Sequence, residues 1–210
     1  ASLVPIPRGA REVQEPIGAR DAAGEFYFIA REEQTDAADV AVEMVTTRIP
    51  GRFGIQATNI QVLTPMHKGE AGTIALNKRL QAALNPPGPP ELVRGEKVLR
   101  VGDRVIQKKN DNSREVFNGD VGTIVSVYPE ATKDETMAVL QIDDREVRYS
   151  SKELGYVDLA YAISVHRAQG GQADAVVQIL LRAHYMMLSR NLLYTGVTRG
   201  KKLVVLIGDP

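Results

Sequence analysis

The chain contains no cysteine, which excludes disulfides and thiolate metal sites. Its three histidines, His67, His166 and His184, lie far apart and lack any metal-ligand spacing, so a bound zinc is not expected. Net charge is also missing. The 26 basic and 26 acidic residues cancel, which argues against a whole-surface electrostatic grip on nucleic acid and leaves only local basic patches as candidates. No apolar run approaches the length of a membrane span, and no basic-then-apolar leader opens the chain, so a soluble, cytoplasmic protein without membrane contact is expected. A phosphate-binding loop, G-x-x-x-x-G-K-[ST], is absent as well: Gly200-Lys201-Lys202 lacks both the earlier glycine and the hydroxyl. Asp134-Glu135 follows Thr132 and Lys133 instead of an apolar strand, so it reads as a hairpin tip and not as a metal-binding acidic pair.

What is present divides into patterns. With 210 residues there is room for one fair-sized domain or two small ones. Residues 1–25 are rich in Gly, Pro and charge without periodicity and read as an irregular lead-in at a cut end. Phe26 to Ala30 is a strand. Thr35 then caps a helix with Asp36 in its first turn, Ala37, Val40, Ala41, Met44 and Val45 on one face, and Pro50 as its stop. Ile60 to Leu63 is a short strand that runs into a polar turn, Thr64 to Gly72, ahead of a helix with Leu76, Leu80, Ala83 and Leu84 on one face. Alternation of strand, loop and helix predicts a parallel sheet. The cluster NPPGPP, Asn85 to Pro90, ends that pattern. Short strands follow at Lys97 to Ile106, Val121 to Tyr128, Met137 to Ile142 and Glu146 to Tyr149, with Asn118-Gly119 and Asp143-Asp144 as turns and Ala138, Leu140 and Ile142 facing inward. They predict a small barrel. The parallel pattern resumes with Ala160 to Val165, Ala175 to Leu180 and Leu203 to Ile207. The expected domains are therefore 26–90 with 155–210, an α/β sheet, and 91–154, an inserted barrel.

Two C-terminal stretches organise the rest. Ala160 to Gln172, AYAISVHRAQGGQ, is an apolar strand running into a polar turn that gathers Ser164, His166, Gln169, Gly170 and Gly171. Such a junction is where open α/β sheets place ligands. Asn191 to Lys202, NLLYTGVTRGKK, is a short helix behind Ser189 as N-cap, stopped by Gly200, with Arg199, Lys201 and Lys202 at its end and a buried strand after it. The pair resembles the fifth and sixth motifs of superfamily 1 helicases, most closely the RecD-type branch. VGDRVIQKKN from Val101, VFNGDVGTI from Val116 and QVLTPMHKGEAG from Gln61 share that resemblance.

The resemblance implies a RecA-like second motor domain of the P-loop NTPase type, interrupted by a small β-barrel of the Src-homology-three type. It implies the C-terminal part of an ATP-dependent DNA helicase of DNA repair and recombination, translocating 5′ to 3′ on single-stranded DNA. ATP and Mg2+ would be held mainly by an upstream motor domain of the same chain, which with single-stranded DNA and nuclease-complex subunits makes up the implied partners. The chain alone would neither hydrolyse ATP nor unwind. The rival is a non-catalytic adaptor subunit of a nuclease complex that keeps the motor fold.

By the same resemblance Arg199 is the arginine finger, and Arg199, Gln172, Lys68 and Gly171 contact nucleotide. Gln172 stands where relatives carry a ribose-binding Glu, and Lys68, beside His67, where many carry an Arg; a surface lysine is the alternative for Lys68. Ser164 and His166 are implied donors to the DNA backbone, against the alternative of a satisfied polar turn. Lys108, Lys109 and Arg114, with Asn118 at the hairpin tip, form a basic patch that steers DNA or else a charged edge that blocks sheet pairing. Stacking platforms are scarce: Phe117, Tyr128 and Tyr149 are the barrel candidates, and Tyr194 reads as packing. His184 has no assigned role.

Overall fold

A computed structural model describes residues 25–88, 90–168, 171–187 and 190–209. The lead-in 1–24, the turn residues Gln169 and Gly170 and the expected N-cap Ser189 lie outside the described residues. In chain order the strands are β1 (Glu25–Ala30), β2 (Ile60–Thr64), β3 (Glu91–Arg94), β4 (Lys97–Arg100), β5 (Arg104–Gln107), β6 (Val121–Val127), β7 (Ala138–Ile142), β8 (Arg145–Tyr149), β9 (Val157–Leu159), β10 (Ala162–Ser164), β11 (Ala173–Leu180) and β12 (Gly200–Gly208). The α-helices are α1 (Gln34–Glu43), α2 (Ile49–Phe53), α3 (Thr73–Leu84), α4 (Ser151–Leu154) and α5 (Arg190–Val197). Two compact units emerge, one from the described residues up to Leu76 and from Ala162 onward, the other from Asn77–Tyr161.

The first unit is an α/β layer. Its sheet runs β1-β12-β11-β2-β10, and every pairing is parallel. Parallel strands need both faces covered, which is why β2 is buried at all five positions and β11 and β12 are near-continuous apolar runs. Val177 of β11 lies opposite Val205 on one side and Val62 on the other, so the register places large β-branched residues at the sheet centre. α1 begins behind Glu33 without a side-chain cap, so Thr35 lies inside the helix and does not cap it. Pro50 does not stop the helix either. The chain passes through a π turn, Met44–Arg48, into α2, where Pro50 occupies the first turn and needs no N–H partner. Gly54, with φ 65, ends it.

The second unit is the β-rich one. Its antiparallel sheet runs β8-β7-β6-β5-β9, accompanied by the β3-β4 hairpin. Leu99, Ile124, Leu140, Ile142, Tyr149 and Leu154 form its core. The expected strand from Lys97 to Ile106 is two strands, because Gly102 at φ 90 turns the chain between β4 and β5. The sheet also reaches past Leu154: β9 pairs with β5, Val105 opposite Leu159. On α3, Ala83 is exposed and the polar Asn77 and Gln81 are buried instead.

Gln81 is buried because it serves Asp103, whose carboxylate has no solvent exposure. Asp103 accepts from Gln81 Nε2 at 2.6 Å, Asn85 Nδ2 at 2.8 Å, the Arg100 backbone N–H at 2.8 Å and Tyr161 Oη at 2.9 Å. Burial, with the carboxylate beside it, holds the Tyr161 phenol well above its usual range. One buried carboxylate thus gathers donors from the end of α3, from the β4–β5 turn and from the residue just before β10. Removing it strands all four. Asp103→Ala is expected to lower the unfolding free energy by about 3 kcal/mol in urea melts followed by circular dichroism, well beyond the effect of an ordinary surface substitution.

Candidate nucleotide and nucleic-acid interface

A parallel sheet has all its strand starts on one edge and all its strand ends on the other, so each loop's edge follows from its place in the chain. β10 ends at Ser164, directly opposite Thr64 at the end of β2. The loop after β2 is held tightly. Thr64 Oγ1 donates to Ala71 O at 2.8 Å, the Thr73 and Ile74 N–H groups donate to Met66 O and His67 O at 3.0 and 3.2 Å, and His67 Nδ1 lies 3.0 Å from Thr73 Oγ1. Gly72 is required there, since a Cβ would sit 2.4 Å from Lys68 O. His67 and Lys68 project into solvent from this strand-end edge. Beyond Ser164, which is buried, a 3-10 turn at Val165–Ala168 leaves His166 exposed.

The strand-start edge carries the other group. Gly171 and Gln172, both exposed, immediately precede β11, and Arg199 immediately precedes β12. Ala173 lies opposite Gly200, and its N–H donates to Arg199 O at 3.0 Å. The Arg199 side chain turns back to the preceding loop, with Nη1 donating to Gly171 O at 3.3 Å and Nη2 lying 3.4 Å from Thr198 Oγ1. Its Nε is buried and has no hydrogen-bond partner among the described residues. Lys202 pairs with Asp174 at 2.9 Å, and both line a groove of about 540 Å³ with Phe53, Gln56 and Asn59.

Several expected placements change. Arg199, Gly171 and Gln172 share one edge, but Lys68 leaves from the end of β2 and therefore belongs to the opposite edge, with Ser164. Lys201 and Lys202 are strand residues, and Gly200 opens β12 and does not stop the helix, because α5 ends at Val197. Tyr194 is 70 % exposed and so is not packing. His184 is buried, its Nδ1 accepting from Leu181 N–H at 3.3 Å, and burial lowers its pKa. Thr198 escaped the sequence reading; its hydroxyl is fixed by Tyr194 O at 2.9 Å, and the only signal was its position beside Arg199.

In the β-rich unit the basic run is largely paired. Lys108 lies 3.1 Å from Asp158, which also holds Lys97 at 2.6 Å. Burial pushes the Asp158 carboxyl up, but the bonds and charges of Lys97 and Lys108 outweigh it and keep the group below its usual range. Lys109 Nζ sits 4.8 Å from the Tyr156 ring centre. Arg114 is mostly covered: it bonds Asp111 at 2.7 Å, lies 3.7 Å from Glu153 and stacks 4.4 Å from the Tyr149 ring. Tyr149 is core, and burial pushes its phenol up to about 12. Three free cations are not what this surface presents. Asn118 is exposed at a turn closed by Gly119 at φ 103, its N–H donating to Asn110 Oδ1 at 2.7 Å, with Phe117 exposed beside it.

Comparison with known proteins gives two family matches. Residues 76–141 match the ATP-dependent RecD-like DNA helicase SH3 domain, and residues 159–207 match the UvrD-like helicase C-terminal domain. The ATP-dependent RecD2 DNA helicase of Deinococcus radiodurans is 41 % identical over 143 residues, 68 % of this chain and 19 % of that protein. The RecBCD enzyme subunit RecD of Mycobacterium tuberculosis is 29 % identical over 154 residues, 71 % of this chain and 24 % of that one. The chain thus spans about a fifth to a quarter of the length of these curated relatives. Among solved structures, one of two coordinating Pif1 helicases at forked double-stranded DNA superposes with a TM-score of 0.50 at 17 % identity, over 81 % of this chain and 43 % of that one, a likeness of fold.

The paired state of Arg114 has a measurable consequence. Arg114→Ala is expected to destabilise the fold by about 2 kcal/mol, because a mostly covered guanidinium loses its stacking and its carboxylate partners together. Asp111 adds a pH signature: the Ser113 hydroxyl first, and then Arg114, draw its carboxyl from 3.8 down to about 2. Its folded pKa is depressed, so the stability it contributes is present above the unfolded value and is lost as pH falls from there towards 2. Acid melts of Arg114→Ala should lose part of that slope, while a freely exposed DNA-contacting arginine would leave both stability and slope unchanged.

Proposed function

We propose, for a chain that belongs to the RecD-like superfamily 1 DNA helicases, that it is the second motor domain of an ATP-dependent DNA helicase, with ATP on the strand-start edge of the parallel sheet and single-stranded DNA on the strand-end edge. The observation that carries this reading is the Arg199 guanidinium held against Gly171 O, which brings the two C-terminal motifs together at the starts of β11 and β12. A guanidinium so placed can turn from a carbonyl to phosphate oxygens, where its planar fork stabilises the charge that spreads over a transferring phosphoryl group. The residues fit a nucleotide in that Arg199 offers donors, and exposed Gln172 beside Gly171 offers an uncharged acceptor to ribose hydroxyls. The phosphate cradle and the Mg2+ ligands belong, in this reading, to a first motor domain.

On the opposite edge, exposed His166 is the donor to the DNA backbone, with buried Ser164 fixing the turn from which it projects. Lys68 joins this group by position. In the β-rich unit, contact with the strand falls to the exposed tip at Phe117 and Asn118 and to Lys109, while Lys108 and Arg114 hold structure. We read that unit as an inserted barrel whose limits are those of the compact unit, Asn77–Tyr161. Translocation from 5′ to 3′ and assembly with nuclease subunits follow from the family resemblance.

Arg199→Lys in the helicase that carries this chain is the test. Lysine keeps the charge but loses the fork, so kcat for DNA-stimulated ATP hydrolysis is expected to fall by about a hundredfold with the KM for ATP changed much less. Near-normal ATPase in the folded variant would sink the role given to Arg199.

A further inference from the structure

β11 reads ADAVVQIL and is sealed between β12 and β2. In its middle stands a polar residue, Gln178, with no solvent exposure at all. A buried amide is unfavourable unless it is bonded. Gln178 Nε2 donates to Leu192 O of α5 at 3.1 Å. α5 makes room for the amide with a glycine: a Cβ on Gly196 would lie 2.1 Å from Gln178 Oε1 and 2.3 Å from its Cδ. The strand amide and the helix glycine are thus matched, and any larger residue at Gly196 would push the amide out.

The match is incomplete in one respect. Gln178 Oε1 is buried and has no hydrogen-bond partner among the described residues, and the same is true of Arg199 Nε. One atom only accepts and the other only donates. They hang from connected parts of the structure, since the Arg199 backbone N–H donates to Gly196 O at 3.1 Å and Gly196 lies against the Gln178 amide. The guanidinium is meanwhile held by a long bond of 3.3 Å from Nη1 to Gly171 O.

We infer that Gln178 is a positioning residue for Arg199: its amide seats α5 on the sheet through Leu192 and Gly196, and its unbonded carbonyl is the seat taken by Arg199 Nε when the Nη groups leave Gly171 for phosphate. This rests on the reading of Arg199 as the phosphate-stabilising group. A guanidinium fixed at Nε presents both Nη groups in a set direction, which is what an approaching phosphate needs. A long apolar side chain at the same place fills the space but offers no such anchor.

The test uses the full-length helicase and a double-mutant cycle. Gln178→Met keeps the length of the side chain and removes the amide. It is expected to lower kcat for DNA-stimulated ATP hydrolysis by about tenfold, with KM for ATP within about twofold and the thermal midpoint little changed, because the bond lost to Leu192 O and the unbonded carbonyl removed act in opposite directions. In an Arg199→Ala background the same change should have no further effect on kcat, since it acts through the guanidinium. A normal kcat in Gln178→Met, or an equal loss in both backgrounds, would overturn the inference. Normal ATPase in Arg199→Ala alone would instead overturn the reading of Arg199, and the two failures are therefore distinct. Should Gln178→Met not fold, Gln178→Leu is measured in the same way. Misfolding of both would make the amide a folding requirement and would also overturn the positioning role.

Discussion

Parallel pairing of β1, β12, β11, β2 and β10 is the constraint on which the rest of the first unit depends. Because every strand points the same way, a residue's edge is settled by whether it precedes or follows a strand. Ser164 and the His67–Lys68 loop follow strands, while Gly171, Gln172 and Arg199 precede them. His166 follows the end of β10, while Gly171 and Gln172 precede the start of β11, so residues close in the chain stand at both edges. In the function proposed above, a single sheet thereby serves a nucleotide on one side and a DNA strand on the other.

Polar groups inside the two units do the fixing that apolar packing cannot. Hydrophobic burial of β2, β11 and β12 sets the sheet, but it is indifferent to where along its axis a helix rests. Directional bonds supply that choice. Asp103 collects four donors and ties together segments far apart in the chain, and Gln178 with Gly196 sets α5 against β11. The first is fully bonded, as a buried carboxylate must be. Gln178 is not: its Oε1 is buried without a hydrogen-bond partner among the described residues.

Much of this was legible in the sequence, and for physical reasons. Apolar runs at Ile60, Ala175 and Leu203 can hardly be anything but strands buried on both faces, and the change to short alternating strands after NPPGPP marked the β-rich unit. The motifs around Ser164 and Arg199 were readable because their glycines, basic residues and hydroxyls stand at fixed offsets. What escaped depended on three-dimensional partners. Pro50 read as a helix stop because the π turn before it leaves no pattern in the residues. Lys108 read as free charge because Asp158, which engages it, lies fifty residues further along the chain, and Arg114 because Tyr149 and Glu153, which cover it beside its local partner Asp111, are also distant in sequence. That Lys68 leaves from the end of β2, and not from the strand starts where Gly171, Gln172 and Arg199 lie, was likewise hidden, because motif order along a chain does not reveal which edge of the sheet a loop leaves. Gln178 did carry a signal, a lone amide in an apolar strand, but its meaning came only with Gly196.

Separation of the two ligands on opposite strand edges is the central claim, and amide hydrogen exchange tests it directly. In the helicase that carries this chain, a non-hydrolysable ATP analogue should slow exchange at residues 171–174 and 198–202, while single-stranded DNA should slow it at 65–73 and 165–168. Protection of 65–73 by nucleotide, with 198–202 left unchanged, would contradict the account.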